Sequence, residues 1–159
     1  IDAKTVPFKK DRIPVNRLIE KALEPVMIPL DIKLQTVSIT GDDNVSFVGD
    51  FNWTAEAIIN ILKNAVEHTH EGGAIAIIFF ENALFTEIIV ADNGQGIPKE
   101  DLPYIFKRFY KGKNASEGSI GIGLAMAHSI VASQNGVIDV TSSSEKGTEF
   151  RIKFYKQVI

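Results

Sequence analysis

A chain of 159 residues fits one domain and is long enough to bury a core without disulfides or metal staples. It has no cysteine, which excludes thiolate metal centres and disulfides and suits a reducing compartment. A net charge of −3 argues against a nucleic-acid footprint, and the longest apolar run, residues 74–80, is far too short to span a bilayer.

No signal peptide is visible at Ile1, and the chain begins without Met, so it reads as a piece of something larger. Residues 1–14 carry mixed charge with Pro7 and Pro14, and read as a lead-in linker or edge strand before a domain over 15–159. Residues 15–27 repeat apolar side chains at helical spacing (Leu18, Ile19, Ala22, Leu23, Val26), with Pro25 and Pro29 as the expected stops. Residues 31–40 alternate Ile32, Leu34, Val37 and Ile39 with other side chains and predict a strand; 41–44 is a turn and 45–48 its partner strand. A helix over 58–69 follows, with Asn52 or Thr54 as its expected cap, an end near His70 and a stop at Gly72-Gly73. Residues 74–80 and 84–91 read as a hairpin, and 99–106 as a short helix after Pro98. Residues 107–120 show no clean period and read as a loop. A helix over 122–134 stops at Gly136, and 137–143 with 148–155 form a closing hairpin. The fold class is α+β, a two-layer sandwich of one mixed, mainly antiparallel sheet with about three helices on one face.

The helix over 58–69 carries the first chemical signal. Ile58, Ile61, Leu62, Ala65 and Val66 make its apolar stripe, while Asn60 and Asn64 stand one turn apart on the other face. Asparagine is a middling-to-poor helix former, and two of them offer no ion pair in return. Carboxamide oxygens can ligate Mg²⁺, which takes one or two protein oxygens and leaves the rest to phosphates and water. A solvated helix face explains the same residues equally well.

Asp92-Asn93-Gly94-Gln95-Gly96-Ile97-Pro98 follows an apolar strand. A carboxylate there needs donors, and the exocyclic amine of a purine is one. Gly94 and Gly96 would let backbone approach a flat ring. The competing reading is a hairpin turn at Asn-Gly, although strand alternation does not resume after it. Gly118 to Gly123 precede a helix, and free N–H groups there suit a polyphosphate. Neither a Walker A loop nor a Rossmann fingerprint fits the order of glycines, and close helix packing also explains them. Residues 105–113 set two phenylalanines and a tyrosine among basic side chains, either folding over a nucleotide or forming a solvated helix end. Stacking on nucleic acid is disfavoured by the acidic balance.

In this order, the asparagine helix, DNGQGI, IFKRFYKG, GIGLA and the closing Gly147-Thr148-Glu149-Phe150 resemble the N, G1, F, G2 and G3 boxes of the ATP-binding catalytic domain of bacterial sensor histidine kinases, in the GHKL (Bergerat-fold) superfamily. The resemblance covers roughly residues 15–156. It implies ATP and Mg²⁺ as ligands, with Asn64 on the metal and Asn60 supporting it. It implies His68 near the ribose or phosphates, Asp92 on the adenine amino group, Gly94, Gly96 and Ile97 around the ring, and Thr148 on adenine through water. Phe109, Tyr110 and Lys111 would reach over the phosphates, with Lys111 and both asparagines in the catalytic set. Ser119, Ile120, Gly121, Ile122, Gly123 and Leu124 would cradle the phosphates. The implied partners are a dimerisation and phosphoacceptor helical domain of the same protein, a homodimeric full-length protein, and indirectly a response regulator. The implied location is a cytoplasmic domain of a membrane-anchored protein.

The chain departs from the pattern at Glu67, where many members carry Lys or Arg, and at Ser119-Ile120, where a further glycine and a Ser or Thr are common. The GHKL ATPases place a water-activating glutamate one turn before the metal asparagine; here that position is Asn60, and an amide is no general base. The implied reaction is transfer of the γ-phosphate to a histidine on a separate helical domain. The alternatives are an anti-sigma type serine kinase and a nucleotide-binding regulatory module without catalysis.

Overall fold

Apolar periodicity and turn chemistry resolve into seven strands and four α-helices in a computed structural model that describes residues 7–107 and 123–157. The order is β1 (Asp11–Pro14), α1 (Val15–Leu23), a 3-10 turn (Glu24–Val26), α2 (Met27–Ile32), β2 (Thr36–Thr40), β3 (Ser46–Gly49) and α3 (Phe51–His68). Then come β4 (Ala74–Glu81), β5 (Phe85–Asp92), a 3-10 turn (Leu102–Tyr104), α4 (Gly123–Ala132), β6 (Gly136–Ser143) and β7 (Gly147–Tyr155).

The main sheet has the order β2-β4-β5-β7-β6, with β2 parallel to β4 and the other pairs antiparallel. Strands β1 and β3 form a separate antiparallel pair. One sheet face, including Ile75, Ile77, Ile88, Val90, Phe150 and Ile152, shares a single core with α1, α3 and α4. This is the α+β sandwich that the sequence pattern predicts. No helix among the described residues is long and apolar enough to cross a membrane.

The central helix α3 shows why the site is held firmly. Thr54, Ala55, Ala57, Ile58, Ile61, Leu62, Ala65 and Val66 are buried along it. Burying one Leu or Ile side chain is worth roughly 1.5–3 kcal/mol, so the apolar stripe offsets the poor helix propensity of the two asparagines opposite. Its N-cap is Asp50, whose side chain accepts from the Trp53 N–H at 3.0 Å, rather than Asn52 or Thr54. The second carboxylate oxygen of Asp50 accepts the Lys9 N–H at 2.9 Å, tying the lead-in segment to the helix. The helix ends at His68, two residues before the expected His70, because Thr69 turns to extended backbone.

Three local expectations give way to long-range packing. The hairpin expected between 31–40 and 45–48 does not form: β2 lies parallel to β4, and β3 pairs with β1. Phe47 ties β3 to β7 by stacking on Phe154 with ring centroids 4.3 Å apart. Residues 31–35 are not strand, because the chain resumes a helix after Pro25. Pro29 sits in the first turn of α2, where its missing N–H costs nothing, and Leu34 takes a positive φ of 53° beyond the helix end. Helix over 99–106 is reduced to the 3-10 turn Leu102–Tyr104.

Candidate functional site

Asp92 ends the central strand β5 and is only 6% exposed. Its Oδ1 accepts two backbone N–H groups, from Gly94 at 2.9 Å and from Thr148 at 3.3 Å. The second contact follows from register, since Asp92 lies directly opposite Thr148 in the β5–β7 ladder. Oδ2 has no hydrogen-bond partner among the described residues. Burial raises the Asp92 carboxyl above its ordinary value, and the two N–H groups and the nearby His68 oppose that rise. A buried acceptor with one oxygen satisfied and one open is suited to a neutral N–H donor from a ligand.

The turn after Asp92 is pressed onto the C-terminus of α3. The Gln95 N–H donates to the His68 carbonyl at 3.1 Å, and the Gln95 side-chain nitrogen lies 3.2 Å from His68 Nδ1. A Cβ at position 94 would collide with that same His68 carbonyl, so Gly94 is required by protein backbone. Gly96 has φ +78°, and a Cβ there would stand 2.5 Å from the Ser143 carbonyl oxygen. The glycines that the sequence assigns to approach of a ring thus also let two protein segments meet. Ser142 closes the arrangement: its Oγ accepts the Ile97 N–H at 2.7 Å and lies 2.8 Å from the hydroxyl of the buried Thr148. No local pattern singles out Ser142, because Ile97 is 45 residues away. Gly147, with φ +86°, passes so close to the Asp92 carbonyl that no Cβ fits.

The asparagine face of α3 meets the N-terminus of α4. Asn60 Nδ2 points to the Met126 sulfur at 3.9 Å, and the Asn60 Oδ1 lies 3.2 Å from where a Gly123 Cβ would stand. Asn64 is half-buried and holds no hydrogen bond to any described residue. Leu124 packs against the core. Among the described residues no three His, Cys, Asp or Glu side chains cluster to hold a metal by themselves. The two carboxamides put hard oxygens on this face, which fits a Mg²⁺ ion completed by phosphate oxygens and water.

Asn60, Asn64, His68, Asp92, Gly94, Gly96, Ile97, Gly123, Leu124 and Thr148 therefore fall on three connected segments: the polar face and end of α3, the β5–β7 strand end with its turn, and the start of α4. Phe109, Tyr110, Lys111, Ser119, Ile120, Gly121 and Ile122 lie outside the described residues. Of the other histidines, His70 is exposed just beyond α3, and His128 is exposed with its ring 5.1 Å from that of Phe106.

Comparison with known proteins bears on the family and the fold. The family profile described as histidine kinase-, DNA gyrase B-, and HSP90-like ATPase matches residues 49–158. The sensor histidine kinase YvrG of Bacillus subtilis is 30% identical over 168 residues, which cover 96% of this chain and 28% of that protein. Sporulation kinase A of the same organism is 38% identical over 115 residues, covering 72% of this chain and 18% of that protein. The chain thus spans less than a third of the length of these two relatives. Among solved structures, the nucleotide-free catalytic domain of histidine kinase ThkA superposes with a TM-score of 0.82 at 22% identity, covering 95% of this chain and 97% of that one. Full-length ShkA in complex with AMPPNP gives 0.81 at 18% identity, covering 96% and 32%. At these identities the structural likeness speaks for the fold.

Proposed function

The chain belongs to the histidine kinase-, DNA gyrase B- and HSP90-like ATPase family, as an ATP-binding catalytic domain of the sensor histidine kinase type, and from that premise we propose that it presents Mg·ATP to a histidine on a separate helical domain. The observation that carries this reading is Asp92, buried at a strand end with Oδ1 satisfied by backbone and Oδ2 open.

Asp92 Oδ2 accepts the adenine amino proton, and Thr148 approaches the same edge through water. Gly94, Gly96 and Ile97 form the turn beside the ring, and His68 faces the ribose or phosphates. Asn64, with Asn60 behind it, would hold Mg²⁺, which when bound spreads positive charge over the phosphate oxygens. Gly123 and Leu124 begin a helix whose dipole favours the phosphates, and Gly121, Ile122, Ser119 and Ile120 would complete that cradle. Phe109, Tyr110 and Lys111 would reach over the phosphates.

Phosphoryl transfer is mostly positioning and charge stabilisation. No carboxylate stands at position 60 to take a proton from water, so transfer to a protein nucleophile is favoured over hydrolysis. Residues 1–14 would lead in from the helical domain, whose dimer supplies the acceptor histidine; a response regulator would receive the phosphate afterwards. Membrane anchoring would reside in segments beyond this domain. The test is to mix the protein with a helical-hairpin fragment carrying a candidate acceptor histidine, with labelled ATP and Mg²⁺. Acid-labile, base-stable phosphate on the hairpin is the expected result. Acid-stable phosphate on serine, or release of inorganic phosphate alone, would contradict the proposal.

A further inference from the structure

A second concavity lies elsewhere in the fold, where β3 and the far ends of β5 and β7 meet the C-terminal end of α4. It encloses about 510 Å³ and includes none of the nucleotide-site residues named above. That volume falls within the roughly 300–1,000 Å³ typical of small-molecule pockets. Part of its lining is the Phe47–Phe154 stack, ring centroids 4.3 Å apart, with both side chains buried. That covered stack forms the apolar floor, while the half-buried Phe8 and the exposed Tyr155 offer rings at the pocket wall.

Its charge is one-sided. Lys9, Lys10, Arg12 and Lys156 line it against a single carboxylate, Glu81. Lys156 already pairs with Glu81 at 2.8 Å, and that hydrogen bond is the main reason the Glu81 carboxyl lies below its usual range. Arg12 donates to the neutral Ser46 hydroxyl at 3.2 Å. Lys9 and Lys10, with no ion pair among the described residues, and Arg12, whose charge acts on Glu81, stand at the mouth of one pocket in a chain whose net charge is −3. The surface is complementary to an anion with a flat apolar body, because such a molecule fills the aromatic lining and meets the cations at the rim.

We propose that this cavity is a binding site for a small aromatic anion, of the carboxylate or sulfonate class, distinct from the nucleotide site. Occupancy would bear on the neighbouring elements. The Lys9 N–H donates to Asp50, the Asp50 N–H donates to the Gln134 side-chain oxygen at 2.7 Å, and Gln134 Nε2 donates to Thr54 at 3.0 Å. The lead-in segment, the start of α3 and the end of α4 are thereby joined beside the pocket.

The probe is 2-naphthoate, titrated into the ¹⁵N-labelled protein and followed by amide chemical shifts, with its neutral isostere 2-naphthylmethanol as control. Saturable shifts are expected at Phe47, Gly49, Gln134 and Tyr155, while Mg·ATP moves a separate set around Asp92 and Gly94. The neutral isostere should bind at least about tenfold more weakly, the loss of a charge-assisted contact. Lys10→Ala with Arg12→Ala, both at exposed side chains, should weaken naphthoate about fivefold to tenfold and leave the melting temperature and the Mg·ATP shifts in place. Equal affinity for the charged and neutral probes would overturn the proposal. So would shifts confined to the nucleotide site, an absence of saturation, or binding of a hexaglutamate peptide to these amides when naphthoate gives none.

Discussion

The β5–β7 ladder ends in two different ways. At one end Phe85 faces Tyr155 with ring centroids 6.0 Å apart, and the next rung on that face sets Glu87 against Lys153 at 3.7 Å. Nearby Glu81 pairs with Lys156 at 2.8 Å. The carboxylates at that end each have a lysine. At the other end Asp92 faces Thr148, is buried, and has only two backbone N–H groups on one of its oxygens. Burying a carboxylate without a cation is costly, and a fold of ordinary marginal stability carries few such groups. The difference lies in the carboxylates: at one end each is paired within the fold, whereas Asp92 keeps one oxygen open, which supports the proposal that a ligand donor reaches it.

Steric tests at the site end should have the largest effect. Gly147→Ala places a Cβ into the Asp92 carbonyl at φ +86° and should cost about 3 kcal/mol in urea unfolding. A cost below about 0.5 kcal/mol would mean that the two strands are not locked together there. Charge removal should then separate the ends. Lys153→Met leaves the buried Glu87 without its partner and should cost about 1–2 kcal/mol, discounted because Lys153 is itself partly exposed. Asp92→Asn keeps an oxygen for both N–H groups and removes a desolvated charge, so stability at pH 7 should hold or rise by up to about 1 kcal/mol.

The pH dependence follows the same logic. Burial is the main cause raising the Asp92 carboxyl above 3.8 in the folded state. The folded protein therefore binds that proton more tightly than the unfolded chain. The corresponding stability is fully present below the unfolded value and is lost as pH rises through the raised folded value. Urea titrations at a series of pH values should show this slope in the natural chain and lose it in Asp92→Asn. The smallest effect on stability belongs to Asn64→Ala. It should stay within about 0.5 kcal/mol, since Asn64 bonds to no described residue and Ala is the better helix former, while Mg·ATP affinity falls.

What could be read from the residues alone divides along the range of the interactions. Alternation and turn chemistry suffice for β4, β5, β6 and β7, and apolar period suffices for α1, α3 and α4. The partners of β2 and β3 are not local: the Phe47–Phe154 stack joins residues far apart in the chain, and no pattern within 31–48 encodes it. The short helix α2 was masked by Pro29, which reads as a stop until its place in a first turn is known. Asp92, Gly94 and Gly96 were legible because a polar residue at the end of an apolar strand and paired glycines are conspicuous, whereas Thr148 was pointed to by the family resemblance alone. Ser142, Gln95 and Met126 were not legible, since each acquires its role only through a partner brought close by folding.

The central claim is that the open oxygen of Asp92 receives a nucleotide. The direct measurement is the melting temperature of the natural chain and of Asp92→Asn, each with and without millimolar Mg·ATP. At a hundred times the dissociation constant, ligand linkage supplies about 2.7 kcal/mol, a rise of several degrees. The account predicts that rise in the natural chain and its loss in Asp92→Asn, with both proteins equally folded in the absence of nucleotide. No rise in the natural chain, or an equal rise in the variant, would contradict it.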